Sequence, residues 1–129
     1  MKKYTDLKTF DDSCKVLALD PNKVIPDFLC YPEKDRVSMI AHTKLVIIVR
    51  AANQLENEGK EWIPDFSNWN ETKFEIWFDY DKGSSGFRCT GYGLWHSGSV
   101  VGSRLCFISI EVAEYIGNQF IELYNEYLL

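Results

Sequence analysis

The sequence lacks the motifs by which most catalytic classes are identified. Its 129 residues contain no C-x-x-C pair, no phosphate-binding P-loop, no dinucleotide-binding G-x-G-x-x-G and no G-x-S-x-G nucleophile turn. Glycine and serine cluster at 98–103 but match neither phosphate-binding pattern. Carboxylates are numerous, yet sequence alone pairs none of them for acid–base catalysis. These absences predict no catalytic residues and favour a non-catalytic protein over an enzyme.

Positive charge is also scarce. The chain has 14 Lys and Arg residues against 19 Asp and Glu, a formal net charge of −5. Affinity for duplex DNA comes largely from Lys and Arg that neutralise phosphates, so this charge argues against duplex DNA as a partner. The negative net charge does not exclude a local basic patch.

Long apolar runs are missing as well. The longest, at 45–49, ends at Arg50 and is far too short to cross a bilayer. No apolar stretch follows the basic start Met1-Lys2-Lys3, so we expect no signal peptide. We therefore expect a cytoplasmic protein that does not enter a membrane.

Cysteine and histidine are few and scattered, with four and two residues. Cys89, His96 and Cys106 could approach one another if their strands pair, but their spacing matches no zinc pattern and no Cys–His nucleophile motif. Buried thiols and a turn histidine explain the same residues. The sequence thus predicts no metal and no cofactor. A small Cys/His hydrolase or metalloprotein is the least favoured functional hypothesis.

What the sequence does have is aromatic residues, which make up 15% of the chain. All four tryptophans lie within 62–107. From 73 to 80, Phe74, Ile76, Phe78 and Tyr80 alternate with Lys73, Glu75, Trp77 and Asp79. This alternation predicts a strand over 72–80, followed by a hairpin connection at 81–86 and a second strand over 87–94. Gly91 and Gly93 in that strand indicate a bulge or a close backbone approach. A turn region over 95–102 and a third strand over 103–108 follow.

Helical patterns flank the predicted sheet. Thr9 fits the N-cap of a short helix that ends at 20–22. Apolar residues at three- and four-residue steps predict a helix over 32–58. Its run at 45–49 also fits a strand, but the helical period continues on both sides and favours the helix. Ser109 fits the N-cap of a last helix over 109–128.

These elements predict one α+β domain that spans residues 1–129. We expect an antiparallel sheet of three or more strands within 72–108, with the helices 32–58 and 109–128 packed on one face.

The sheet also supplies the candidate binding residues. They are its aromatic and cationic side chains and the adjoining turn histidine: Trp77, Arg88, Tyr92, Trp95, His96 and Arg104. If the rings share an exposed face with the arginines, they could stack bases or sugars, or anchor a protein partner. The competing interpretation is a sheet covered on both faces, by helices on one side and by the 62–69 loop on the other.

Several segments resemble a known group of proteins. They are VGSRLCF at 101–107, AEY at 113–115 and QFIELY at 119–124, together with YTD at 4–6, IAH at 40–42, KL at 44–45, WFD at 77–79 and SGF at 85–87. The group consists of small proteins of phages, prophages and mobile elements of Bacteroides-type bacteria, and the likeness covers most of the chain. The resemblance implies a phage-related accessory protein inside a bacterial cell. It assigns no activity, cofactor or catalytic residue.

The leading functional hypothesis is therefore a non-catalytic binding or interaction protein of phage or mobile-element origin. Its acidic charge favours another protein as the partner. The first alternative is a single-stranded nucleic-acid-binding protein that uses the aromatic sheet face and its arginines.

Overall fold

The computed structural model of the chain describes residues 1–98 and 103–129, and its architecture is α+β. In that part of the chain the elements are α1 (Phe10–Val16), α2 (Glu33–Glu56), β1 (Lys73–Asp81), β2 (Gly86–Trp95), α3 (Ile110–Gln119) and α4 (Ile121–Leu128). Short 3-10 turns occupy Tyr4–Asp6 and Ser103–Leu105. The sequence predicts a turn region over 95–102, and residues 99–102 of that region lie outside the described part of the chain.

The start of α1 and the end of α2 lie where local chemistry predicts, whereas α1 ends at Val16, before the stop predicted at 20–22. Thr9 caps α1, because its hydroxyl accepts from the Asp12 N–H at 3.2 Å while the Asp12 carboxylate accepts from the Thr9 N–H at 2.9 Å. After α2, Gly59 takes a φ of +81° and donates to the Gln54 carbonyl at 2.9 Å. The helix predicted over 32–58 is confirmed, and the strand alternative at 45–49 is wrong.

The last predicted helix is divided. Ser109 caps α3 by accepting from the Val112 N–H at 3.3 Å, as expected. At Phe120 the backbone leaves helical geometry, with φ −109° and ψ 28°, so 109–128 forms two helices. Phe120 is itself buried at the junction. The break lets α3 pack on the sheet while α4 reaches both β2 and α2.

The sheet has two antiparallel strands within the described residues, and the predicted third strand is wrong. Its segment forms the 3-10 turn Ser103–Leu105 and then one bridge, in which Phe107 donates to Phe74 at 2.8 Å and accepts from it at 3.1 Å. Between this turn and the Ser109 cap, only 106–108 remain for pairing. The backbone groups on the other edge of that short segment bond to α2, because Asn53 donates to the Cys106 carbonyl and accepts from the Ile108 N–H, both at 2.9 Å.

The helices lie in layers on one side of the sheet. α3 and α4 contact the strands, whereas α2 packs mainly against α4 and α1. Gly117 lets α3 approach closely, because a Cβ atom there would lie 3.0 Å from both Cys89 Sγ and Ile76 Cγ2. The buried core between the layers consists of Leu7, Leu45, Ile48, Val49, Ala51, Ala52, Ile76, Leu105, Phe107, Val112, Ala113, Ile116, Phe120 and Tyr124. None of the described helices combines the length and the apolar character needed to cross a bilayer.

Two tyrosines in the helical layers differ in whether their hydroxyl groups are hydrogen-bonded. The Tyr124 hydroxyl is buried without a hydrogen-bond partner among the described residues, and burial raises the pKa of Tyr124. The Tyr115 hydroxyl lies 3.0 Å from the Thr5 carbonyl and 2.9 Å from the Leu7 carbonyl, and it accepts from Lys8 Nζ at 3.1 Å. Tyr115 therefore ties the N-terminal segment to α3, whereas Tyr124 contributes through its ring.

This difference predicts opposite effects for the same substitution. Tyr124→Phe should raise the free energy of unfolding by about 1 kcal/mol, because it removes a buried hydroxyl that lost water without gaining a partner. Tyr115→Phe should lower the free energy of unfolding by about 1 kcal/mol, because it deletes a satisfied hydrogen bond. Urea unfolding of the two variants checks both signs. Destabilisation by Tyr124→Phe would mean that the hydroxyl does find a partner.

Candidate binding site on the outer sheet face

The register of β1 and β2 assigns every strand side chain to one of two faces. Directly opposed residues share a face, so Trp77 lies with its partner Gly91 and Ile76 lies with Tyr92. The inner face packs on α3 and α4 and carries Phe74, Ile76, Phe78, Tyr80, Phe87, Cys89, Tyr92 and Leu94. The outer face points away from these helices and carries Lys73, Glu75, Trp77, Asp79, Asp81, Arg88, Gly91, Gly93 and Trp95.

A β-bulge decides which aromatic rings share the outer face. Phe78 pairs with Cys89 but Trp77 pairs with Gly91, so Thr90 is the extra residue of β2. Without it, the hairpin register would place Tyr92 opposite Glu75, on the outer face. The bulge moves Tyr92 to the inner face, and the predicted surface of three rings on one face does not form. The bulge and the close approach expected from Gly91 and Gly93 are confirmed.

Trp77 is the exposed ring of the outer face. Its residue is 59% exposed, and its indole lies over the backbone of β2 at Gly93. A Cβ atom at position 93 would come within 2.8 Å of Trp77 Nε1. Any other residue at 93 would therefore displace the indole, and glycine there gives the ring a flat backbone surface to rest on.

A buried lysine closes one end of the outer face. Lys73 is completely buried, and its ammonium donates to the carbonyls of Asn68 at 2.8 Å and His96 at 2.7 Å. It also lies 3.5 Å from Glu71 Oε1 and 5.3 Å from the centre of the Phe66 ring. The ammonium thereby fastens the loop before β1 and the turn after β2 to the same point of the sheet.

A buried carboxylate lies next to this lysine along the strand. Glu75 Oε2 accepts from Trp95 Nε1 at 2.9 Å, and Oε1 accepts from Cys106 Sγ at 3.2 Å. Both Glu75 and Cys106 have further contacts beyond these two. Trp95 is consequently half-buried, with its indole N–H committed to the carboxylate, and it is not an open stacking surface.

The loop at 62–72 covers the outer face only in part. It packs over Lys73 through Phe66, while Trp69 at its surface is 69% exposed. The covered-sheet interpretation thus holds at the Lys73 end. At the Trp77 end the face is open, and this difference makes Trp77 the centre of the candidate site.

The remaining candidate residues do not all lie on the outer face with Trp77. Arg88 is exposed on the outer face, where its Nη1 lies 3.4 Å from Asp81 Oδ2. His96 is exposed in the turn and contributes its carbonyl to Lys73. Arg104 is exposed as well, but it lines a cleft against α2. The structure therefore brings Trp77, Trp95 and Arg88 to one face and places Tyr92 and Arg104 elsewhere.

The cysteine and histidine hypothesis finds no matching geometry. Cys89 is on the inner face against Gly117, where burial raises the pKa of Cys89, whereas Cys106 contacts Glu75 on the outer side. All four cysteines are free thiols. Among the described residues, no three His, Cys, Asp or Glu side chains are grouped as metal ligands.

Sequence reasoning missed the buried pair Lys73 and Glu75. Their alternation with apolar residues is also the pattern of a solvent-exposed strand face, so polarity predicts them outside. The sequence feature that pointed to this face was the pair of glycines, Gly91 and Gly93, which indicated that a side chain approaches the backbone of β2 closely. The glycines did not indicate which side chain that is.

The site offers an exposed indole and, farther along the same face, the aspartates Asp79 and Asp81, the second of which faces Arg88. Comparisons with protein-family models, with curated proteins and with solved structures find no match. The function is therefore inferred from this chemistry and from the sequence.

Proposed function

We propose that the protein is a non-catalytic interaction protein that binds a partner protein on the outer sheet face, with Trp77 as the anchor. The carrying observation is a large indole that is 59% exposed and supported from below by Gly93. Tryptophan is enriched among the residues that dominate binding energy at protein interfaces. A ring already seated against the backbone loses little conformational freedom when a partner covers it.

The charge around Trp77 favours a protein over a nucleic acid. Asp79 and Asp81 follow Trp77 along the outer face of β1, and Arg88 is paired with Asp81. Single-stranded nucleic acids bind where several aromatic rings lie along a positively charged groove. Here the face has one open indole and no unpaired cation among its described residues, in a chain of net charge −5. The partner surface we expect has an apolar pocket for the indole and a basic rim.

The biological setting is part of the same proposal. The segments that resemble proteins of Bacteroides-type phages, prophages and mobile elements support an accessory role in the cytoplasm of a bacterial host. That resemblance is the sole support for the setting, whereas the partner class is supported by Trp77 and its surroundings.

Trp77→Ala should weaken binding of the partner at least about 10-fold, because hot-spot tryptophans commonly contribute this much or more. The tagged protein is expressed in a Bacteroides-type host, co-purifying proteins are identified, and the affinity of the purified pair is measured for each variant. The proposal requires one protein whose binding depends on Trp77. A partner bound equally by Trp77→Ala would contradict it.

Two glycines supply a matched control. Gly93→Ala places a methyl group against the indole and should weaken binding by shifting the ring, whereas a Cβ atom at Gly91 meets nothing within 4 Å. Gly91→Ala should therefore bind the partner like the wild type. Salt-sensitive quenching of tryptophan fluorescence by single-stranded oligonucleotides, lost in Trp77→Ala, would replace the protein partner by a nucleic acid.

A further inference from the structure

A cleft that the outer face does not include lies between α2, the segment 62–64 and Arg104. Its volume is about 120 Å³. Its lining includes the apolar residues Val46, Val49, Trp62, Ile63 and Pro64. It also includes the polar residues Arg50, Asn53 and Arg104. A concave site that combines apolar side chains with a few convergent polar groups is the usual form of a small-ligand pocket.

The arginines are distributed in a way that singles out this cleft. Arg36 donates to backbone carbonyls at 3.1 and 3.2 Å, and Arg88 faces Asp81. The other two arginines of the chain, Arg50 and Arg104, line the same cleft. In a protein of net charge −5, two guanidinium groups in one small concavity form a local anion site.

Each of the two guanidinium groups has donors to offer. Arg50 uses Nη2 for an ion pair with Glu61 Oε1 at 3.0 Å, and its other N–H groups are not part of that contact. The Arg104 guanidinium makes no ion pair or hydrogen bond within residues 1–98 and 103–129. A ligand carboxylate would give this guanidinium a partner that the described residues do not provide.

Asn53 joins the two chain segments that carry Arg50 and Arg104. It lies one helical turn after Arg50 on α2, so the two side chains share a helix face. Its amide binds the Cys106 carbonyl and the Ile108 N–H, both at 2.9 Å, and so clamps the segment that follows Arg104 onto α2. The backbone positions from which the two arginines extend are thereby held together before any ligand arrives, which lowers the entropy lost on binding.

We propose that this cleft binds a small carboxylate that carries a short apolar substituent. The planar guanidinium fork matches a carboxylate in a bidentate geometry, and Trp62 with its aliphatic neighbours accepts the substituent. A cavity of about 150 Å³ accommodates benzene, so the present volume suits a ligand of about five or six heavy atoms. Inorganic phosphate fits less well, because it has no apolar part to displace water from the Trp62 wall.

Butyrate is a probe of the right size and charge. We expect it to shift the indole N–H resonance of Trp62, assigned with Trp62→Phe, with a dissociation constant of about 1 mM for so small a ligand. Butyramide has the same shape without the charge and should bind at least about 10-fold more weakly. Equal shifts from butyrate and butyramide, or none from either, would overturn the proposal.

Three charge-neutralising variants sharpen the test. Arg104→Gln should weaken butyrate binding at least about 10-fold, whereas Lys82→Gln, the loss of an exposed cation outside the cleft, should leave it unchanged. Glu61→Gln should tighten binding, because it releases the Nη2 group of Arg50 from its internal carboxylate. If the Arg50 guanidinium does not bind the carboxylate, no such gain is expected. Wild-type butyrate affinity in Arg104→Gln would overturn the proposal.

The same carboxylate chemistry occurs in free acids and at the C-terminus of a protein. A short peptide ending in valine with a free carboxylate, compared with its C-terminal amide, separates the two sources. Binding tighter than butyrate and lost on amidation identifies a protein terminus, whereas binding weaker than butyrate identifies a free acid. Because the readout is Trp62, its failure is distinguishable from failure of partner binding at Trp77.

Discussion

Phe107→Ala should lower the free energy of unfolding by about 4 kcal/mol, within the range observed for truncating a buried phenylalanine. Phe107 is 0% exposed and lies in the core between the sheet and the helices. Its backbone is held on one side by the bridge to Phe74 and on the other by the Asn53 clamp on its neighbours. A segment restrained on both sides cannot move in to fill the cavity, so the cost should fall at the upper end for such substitutions.

Phe107→Leu is the control for this expectation. It keeps most of the side-chain volume and should lower the free energy of unfolding by only about 1 kcal/mol. Urea unfolding with fluorescence and circular dichroism gives both values, and an unchanged m-value shows that the unfolded states are comparable. Equal costs for the alanine and leucine variants would show that 106–108 relaxes despite its two restraints.

The elements predicted correctly from sequence are those whose boundaries depend on adjacent residues. Thr9 and Asp12 form a reciprocal cap within one helical turn, and the turn that ends α2 has positive φ at both Glu58 and Gly59. The alternation at 73–80 predicts β1 for the same reason. All of these signals act over a few residues, which is why they survive in the folded chain.

The elements predicted wrongly are those set by distant contacts. The segment 103–108 has strand-like composition, yet the 3-10 turn before Cys106 and the cap at Ser109 leave it one bridge. Phe120 continues the apolar stripe of a helix and carries no breaking signal. It interrupts the helix because the two halves pack on different neighbours.

The candidate site shows the same division. The outward position of Trp77 follows from alternation along β1, but its exposure depends on where the 62–72 loop stops. The single bulge residue Thr90 moves Tyr92 to the inner face, because one residue of slip exchanges the two sides of a strand. A glycine in the sequence indicates that a bulge is possible without giving its position in the register.

Loss of the Lys73 ammonium should have the second largest effect. Lys73→Met keeps the aliphatic stem but leaves the partly buried carbonyls of Asn68 and His96 without their shared donor, and an acceptor left unpaired away from water costs about 1 to 3 kcal/mol. The ion pair with Glu71 adds little, because that carboxylate is partly exposed. We therefore expect the free energy of unfolding to fall by about 3 kcal/mol.

Lys44→Met is the matched control for Lys73→Met. Its ammonium lies 5.4 Å from the Phe10 ring centre and has no buried carbonyl partner among the described residues, so about 0.5 kcal/mol is expected. Amide hydrogen exchange shows which part of the structure Lys73→Met destabilises, in addition to the total loss of stability. If the ammonium joins the 62–72 loop to the turn after β2, the loop amides should lose protection in Lys73→Met before α2 does, whereas Lys44→Met should leave them protected. Wild-type stability and loop protection in Lys73→Met would mean that Phe66 and its neighbours hold the loop by packing alone.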